Sequence, residues 1–494
     1  MTMSFAEIPF DVRTPGAFLE VDPSLAESGV GLYPLRSVLI AQRLSTAPGP
    51  INTPIRVSTH EEVLVAAGAG SMAERMAASW FAVNRSTELW VVLLDDLPAG
   101  TQAVKTVTFS GTPGTGVVAL YIAGDRYTID ASLSLTAQAA ELADILSDPT
   151  NGQHNASCPF TAAVNPGDLT QVVLTAKNAG LVSDTIDVRH SHLDGESLPA
   201  GLSIAVADSV AGAGDPDITS ALTALAGVQY DIIAHPYIET ANLVALEADL
   251  DERALATNGI PGLHIVAHAE TQSILATIGS ARNSEYGSFQ GLDPFPGVPC
   301  ERGAAIAAAV AFFGSQNPSE PFQGLELPGY APSVEDQKSQ PQRNMLLHDG
   351  VSTTRVVNGR VQIERLITTN QTNDAGAPTT AFLDVNRILQ ISWVRKAWPA
   401  RLNQLFPRHS LADDSTSVPI PAGQNVVTPK VVQGAWANFV KRGVELGIFE
   451  DAQSSIANSV FQRSGIDPNR VDMLLRPNFR NQARIFASKL AFTI

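Results

Sequence analysis

From residue 217 onward the chain alternates strand-like and helix-like runs, and this alternation constrains the fold more than any other feature. DITSALTALAG (217–227) places Ile218, Leu222 and Leu225 on one side of a helix. YDIIAHPY (230–237) reads as a strand, TANLVALEADLDERALAT (240–257) as a long helix, LHIVAHA (263–269) as a second strand and TQSILATIGSARN (271–283) as a third helix. Strands joined by helices of this length become neighbours through crossovers, so a mostly parallel sheet is expected. The same texture opens the chain. SVLIAQ (37–42) and ELWVVLL (88–94) read as strands around two helices. The first helix is signalled by Ser58 and Glu61, a capping-box spacing, and the second spans 71–84. The alanine-rich run at 301–314 is expected to pack closely on a sheet or another helix.

Between residues 105 and 206 the texture changes. VKTVTFSG, GVVALYIAG, RYTIDA, QVVLTAKN, DTIDVRH and LSIAVAD follow one another, most separated by Gly, Pro or Asn-rich turns. One helix, TAQAAELADILSD (136–148), interrupts them. The expectation is a β-rich domain inserted into an α/β chain.

Beyond residue 342, Asn358-Gly359 sits between two alternating runs, the strongest hairpin signal in the chain. On that hairpin Arg365 shares a face with Val361, Ile363 and Ile367, so it needs a carboxylate, from its own chain or from a neighbour at an interface. A helix is expected from about Asp384 to Trp398, ended by Pro399. VVQGAWANFVKRGVELG (431–447) puts Val432, Trp436, Phe439 and Val440 on one helical face. Two strands close the chain, RVDMLLRP and QARIFASKLAFTI. The second has Phe486, Leu490 and Phe492 on one face and Ile485, Lys489 and Thr493 on the other. A last strand has no following partner in sequence, so its backbone groups must pair elsewhere in its own domain or in another copy. At the other end, Pro9 and Pro15 forbid a helix while Ile8, Phe10 and Val12 alternate, which reads as an extended arm.

With 494 residues there is room for two to four domains. A formal net charge of -17 and no dense basic run argue against direct nucleic-acid binding. Only 16% of the residues are charged, which points to surface buried between subunits. Cys158 and Cys300, far apart and without a CxxC or Cys/His cluster, are expected to be reduced thiols. The N-terminal residues lack a signal-peptide pattern, and the longest apolar run, 304–314, is too short to span a bilayer. Synthesis and folding in a cytoplasm are expected.

Chemistry-like motifs are few. VLVAAGAGSMA (63–73) resembles a dinucleotide fingerprint through Gly68, Gly70 and Ala73, with Asp95 and Asp96 at a later strand end. That reading needs a strand at Val63–Val65, whereas the cap signal puts a helix there, with Gly68 as its C-cap. His190 with His192, and His264 with His268, form pairs without a third ligand. His235, at a strand's C-terminal end, stands where α/β ligands gather. No phosphate-binding loop and no nucleophile elbow occurs. No cofactor, metal site or enzyme activity is therefore assigned. The enzymatic alternative is a cofactor or metal near Gly70 or His235.

YDIIAHPYIE, RNMLLHDGVSTTRVVNGRVQIERLITTNQTNDAGAPTTAFLDV and TAKNAGLVSDTIDVRHSHLDGESLPAGLSIAVADSVAGAGDPD together resemble the tail sheath proteins of contractile-tailed bacteriophages, closest to the Mu-like branch. The order of these motifs along nearly the whole chain carries the resemblance. One departure is NQTND, where relatives often have an aromatic before the second Asn. The resemblance implies α/β plus β architecture: a subtilisin-like doubly wound α/β core, an inserted β-sandwich and a C-terminal α+β domain. "Subtilisin-like" describes shape only, since no nucleophile motif accompanies it. The implied domains are an N-terminal arm (1–20), a first part of the α/β region (21–100), the inserted sandwich (101–206), the subtilisin-like domain (207–370), the C-terminal α+β domain (371–481) and a terminal strand (482–494). The implied function is a sheath subunit that polymerises with itself around a tail tube protein, meets baseplate and tail terminator proteins, and contracts to drive the tube through a host envelope. Its implied location is the virion, after assembly in the host cytoplasm, without direct nucleic-acid contact or membrane insertion. A pyocin-like injection particle would use the same sheath physics. Expected inter-subunit residues are Ile8, Phe10 and Val12 of the first arm, Arg365 near the hairpin, and Ile485, Phe486, Leu490 and Phe492 of the last strand.

Overall fold

A computed structural model describes residues 31–415 and 425–492. Ile8, Phe10 and Val12 lie outside the described residues. Packing divides the chain into two compact units. The larger holds Tyr33–Arg395 and the chain from Phe479 onward; the smaller is built, among the described residues, on Lys396–Asn478.

The larger unit contains a nine-stranded sheet. Its strands lie in the order Glu326–Leu327, Arg360–Arg365, Val351–Val357, Gly287–Leu292, Leu263–Ala269, Ile232–Ala234, Ser37–Gln42, Leu89–Leu94 and Ile55–Val57. The strands from Val351–Val357 through Leu89–Leu94 run parallel, as the strand–helix alternation predicts. Both sheet ends turn antiparallel. Helices cover both faces. Met72–Val83 and Pro299–Gln316 pack on one, and Gln272–Ser280 with Gln340–His348 on the other. In the strand Leu263–Ala269, Leu263, Ile265 and Ala267 join the main core, while Val266 joins the smaller cluster with Leu275, Phe289 and Leu346. The alanine-rich helix is buried along most of its length, and Gly303 lets its backbone approach the sheet: a Cβ there would stand 3.0 Å from Ala267 Cβ. Asn358 and Gly359 take φ of 52° and 76°, the backbone that a two-residue turn between Val351–Val357 and Arg360–Arg365 requires.

Inserted after Leu94 are two antiparallel sheets. One has the order Leu202–Val210, Val104–Gly111, Gln171–Ala176, Phe160–Val164; the other has the order Asp125–Asp130, Val117–Ile122, Val188–His190. The helix Leu135–Ser147 buries Ala139, Leu142, Ile145 and Leu146 against the first of them. Phe160–Val164 is a strand that the sequence pattern missed, because FTAAV is short and follows Pro159 directly.

In the smaller unit, Pro429–Glu445 buries Val432, Trp436, Phe439 and Val440, the face its spacing predicts. Trp436 stacks on Phe439 at 5.4 Å and meets Trp398 edge-on at 5.1 Å, while its indole N–H donates to Ser459 Oγ at 3.0 Å. Val460–Arg463 and Val471–Leu474 form a separate two-stranded hairpin.

Three local expectations are corrected. The first helix is capped one residue later than expected: Thr59 Oγ1 accepts from Glu62 N–H, and Glu62, not Glu61, reaches back to the Ser58 N–H. Pro399 does not end its helix, which runs Val385–Leu405 through it. A proline forfeits one backbone bond, but packing of Trp398 in the aromatic cluster, beside the buried Ala397, holds the helical path. Finally, residues 482–492 belong to no strand pairing among the described residues.

Candidate assembly surface

The residues that imitate cofactor chemistry are occupied structurally. Val63–Val65 lie within the helix His60–Ala67, and the Gly68 N–H caps it by donating to Leu64 O at 2.9 Å. A helix, not a strand, leads into the glycines, so the dinucleotide geometry does not arise. Strand order reverses between Ser37–Gln42 and Ile232–Ala234, the place where open α/β sheets bind ligands. Here a loop of the insert fills it. Gln42 Nε2 donates to Asp96 Oδ1 at 2.6 Å and to Ala179 O at 2.7 Å. Asn178 Nδ2 and the Ala179 N–H donate to the same carboxylate, each at 2.9 Å. Asp95 pairs with Arg43 at 2.7 Å.

The histidines are likewise placed. His235 Nε2 and His264 Nδ1 stand 3.1 Å apart in the core, and burial depresses both, His235 to about 3. They are a neutral pair at physiological pH. His192 Nε2 donates to Ala331 O at 2.9 Å, and His190 Nδ1 bonds the Ser191 hydroxyl at 3.2 Å. Among the described residues no group of three His, Cys, Asp or Glu could hold a metal ion, and no helix is long and apolar enough to cross a membrane.

The C-terminal segment has a fixed root and a free end. Arg480 O accepts from Gln390 Nε2 at 2.9 Å, and Asn481 Oδ1 accepts from Arg387 Nη2 at 2.9 Å. Gln482 Nε2 donates to Ser319 O at 3.3 Å. Arg484 Nη2 then reaches Asn386 Oδ1 at 3.0 Å and Asp384 Oδ1 at 3.1 Å. The same Asp384 receives Arg365, through Nε at 3.1 Å and Nη2 at 3.3 Å. The carboxylate that Arg365 requires is thus in its own chain, and it is shared with the arm root. Burial lowers the Arg484 pKa against the pull of Asp384. Past Arg484 the side chains leave the protein: Ile485, Phe486, Leu490 and Phe492 are 85%, 86%, 89% and 78% exposed.

Sequence reasoning missed Asp384, Asn386 and Arg484. A usable signal existed for Arg484, which falls on the same strand parity as Phe486, Leu490 and Phe492. It is a second arginine on an apolar face, like Arg365.

A second exposed feature lies in the smaller unit. The hairpin Val460–Arg463/Val471–Leu474 has both outer edges unpaired among the described residues, and Val460 and Leu474 are each 50% exposed. Two-stranded sheets are marginal alone, and open edges recruit further strands. After Asp472 the chain carries Arg476, Arg480, Arg484 and Lys489 and no acidic residue, in a protein of net charge -17.

The protein thus combines a parallel α/β body with a C-terminal segment that is anchored up to Arg484 and exposes its apolar side chains beyond it. Residues 211–369 match the family described as phage tail sheath protein central domain. Over the full length of both chains the protein is 30% identical to the Mu-like prophage FluMu tail sheath protein of Haemophilus influenzae. The chain belongs to the phage tail sheath proteins, the sheaths of contractile phage tails and phage-like injection systems. Solved structures with similar folds include the sheath tail protein of Desulfitobacterium hafniense, at 12% identity and TM-score 0.47, covering 94% of this chain and all of that one. Another is the anti-feeding prophage helical sheath in its contracted state, at 12% identity and TM-score 0.48, covering 98% and 99%.

Proposed function

We propose that this subunit polymerises into a cylinder around a tail tube by lending its terminal strand to a neighbouring copy. The observation that carries this reading is the contrast at Arg484: a root tied by side-chain contacts, then four large apolar side chains in water. Added to an open edge of a second copy, the segment gains backbone hydrogen bonds, and its alternate side chains fix the register. The hairpin Val460–Arg463/Val471–Leu474 is the acceptor we favour, with the N-terminal arm around Ile8, Phe10 and Val12 joining the same composite sheet. Arg365 acts indirectly, by sharing Asp384 with the arm root. Such contacts are head-to-tail and propagate instead of closing.

The same reading makes 1–20 and 482–494 the arms, 101–206 a β-sandwich, 207–370 with 21–100 a subtilisin-like body, and 371–481 an α+β domain. Its partners are other copies, the tube protein, and the baseplate and terminator proteins at the ends. Its setting is the virion, after assembly in the host cytoplasm. Contraction trades weak body-to-body contacts for more extensive ones while the arms stay paired. It needs no nucleotide, because the extended form is held as a kinetically stable state. Negative-stain microscopy of the purified chain tests the reading: hollow cylinders are expected, and single particles at every concentration would refute it. The neighbouring genes, with or without a capsid, separate a phage from a pyocin-like particle.

A further inference from the structure

The helix Pro299–Gln316 begins at Val298 with no side-chain cap, so the amides of its first turn present positive partial charge. Arg302 lies in that turn and is only 5% exposed. Its guanidinium carbon stands 3.7 Å from the Phe295 ring centre. Nη2 donates to Tyr330 O at 2.8 Å and Pro328 O at 3.4 Å, and Nε is buried without a partner among the described residues. Among the described residues no carboxylate forms an ion pair with it, and burial lowers its pKa to about 10.

Arg75, on the same cavity, has the opposite situation. It takes Glu301 at 2.5 Å and Asp125 at 3.4 Å, together with the carbonyls of Ser157 and Ala123. Two carboxylates therefore bond to one arginine, while the other is only attracted from a distance by Glu301 and Asp293. A buried guanidinium with no carboxylate bonded to it is costly, and an anion from outside the chain would offset part of that cost. The space for it exists: a cavity of about 400 Å³ between the insert and the α/β body, lined by Arg302, Tyr330 and Ser79 and also by Arg75 with its bonded Asp125 and Glu301.

We propose that this cavity is a binding site for a carboxylate or phosphate group, received by the Arg302 guanidinium at the open start of the helix Pro299–Gln316. The group is either a free oxyanion or an acidic side chain of a second copy. The second source rests on the sheath reading; the first does not.

The test follows thermal unfolding of the full chain, kept below its assembly concentration, in sodium phosphate or sodium acetate against sodium chloride of equal ionic strength. A free oxyanion gives a saturable rise in Tm that Arg302→Met abolishes. Ser79→Glu delivers a carboxylate into the same cavity with Arg302 intact, and it too should abolish the response, which keeps the test sound if the first variant fails to fold. If neither salt raises Tm but Arg302→Met raises the critical concentration for cylinders tenfold at unchanged Tm, the anion comes from the neighbouring copy. No anion-dependent rise in the natural chain, with Arg302→Met assembling as before, overturns the site. So does a phosphate response that survives in Ser79→Glu.

Discussion

Ending the chain after Arg484 separates the cost to the subunit from the cost to the polymer. Every root contact survives this cut, including those of Gln482 and Arg484. The large apolar side chains removed are 78–89% exposed, so the folded subunit loses almost no burial. Changes at such sites stay within about 0.5 kcal/mol, which for a chain of this size moves Tm by less than ~2 °C. In the polymer the same side chains are expected to be covered. Burying one Phe or Leu contributes ~1.5–3 kcal/mol, and each 1.4 kcal/mol is about tenfold in an association constant. Phe486→Ser alone should therefore raise the critical concentration for cylinders by about tenfold to a hundredfold, and the cut should abolish them. Light scattering against concentration, with negative-stain images of the plateau, reads both. Cylinders from the shortened chain at an unchanged critical concentration would refute the strand-lending mechanism. A Tm drop of many degrees would instead mean that the arm packs on its own molecule.

Asp384→Ala leaves Arg365 and Arg484 together without their shared carboxylate, and should cost ~1–3 kcal/mol in urea unfolding, with faster hydrogen exchange near Arg484; an unchanged urea midpoint would remove Asp384 from the arm root. Asp215, whose Oδ2 is buried without a partner, is raised by burial from 3.8 to about 6. Between those values the folded state keeps a proton that the unfolded chain releases, so this group lowers stability as pH rises through the window; Asp215→Asn should add ~1–3 kcal/mol at pH 7.5 and less below pH 4. A gain that is equal at both pH values would show another cause. The His235–His264 pair works in the opposite sense. Kept neutral by burial, it stabilises the fold above pH 6.5, and that contribution is lost as pH falls toward 3, so replacing both histidines by Gln should lessen the loss of stability between about pH 6.5 and 4 relative to the natural chain, and an identical pH profile would contradict it. Gly359→Val puts a β-branched residue at φ 76° and should cost ~1–3 kcal/mol, while Gly465→Ala, with open space around it, should change little; denaturation curves compare the two.

What the sequence made legible was local or periodic. Asn358-Gly359 dictates its turn by its own backbone preferences, and the Trp436 face follows from spacing alone. Alternating strands and helices announce a parallel sheet because crossovers of that length leave few other arrangements. The remainder depended on contacts between distant segments. Pro399 reads as a stop, yet packing of Trp398 on Trp436 and Phe439 carries the helix through it. Asp95 and Asp96 read as a ribose-binding end because nothing in the sequence says that Asn178 and Ala179, from the insert, close that crevice. Arg365 advertises a need for a carboxylate, but Asp384 lies beyond a polar stretch with no periodicity to predict its return to the sheet. Arg302 is silent for a related reason: an arginine in an alanine-rich helix looks like its solvated edge until the fold buries it.

The arm geometry also limits how a cylinder could move. The last anchored side chain is Arg484 and the first exposed apolar one is Ile485, so no spacer separates the root from the exposed segment. Eight residues from Ile485 to Phe492 span at most ~26–29 Å when extended. On the sheath reading, two neighbouring bodies therefore stay within about that distance through any rearrangement. Large relative motion has to come from rotation about the Arg484–Ile485 junction, because slack is not available. An ionic root suits this role. Arg365, Asp384 and Arg484 bind through directional side-chain contacts at a partly exposed site, so a pull on the strand loads the segment beside the hairpin without opening the hydrophobic core of the sheet. If the segment is lent to a neighbouring copy as proposed, the body can then move as a rigid piece while that join holds.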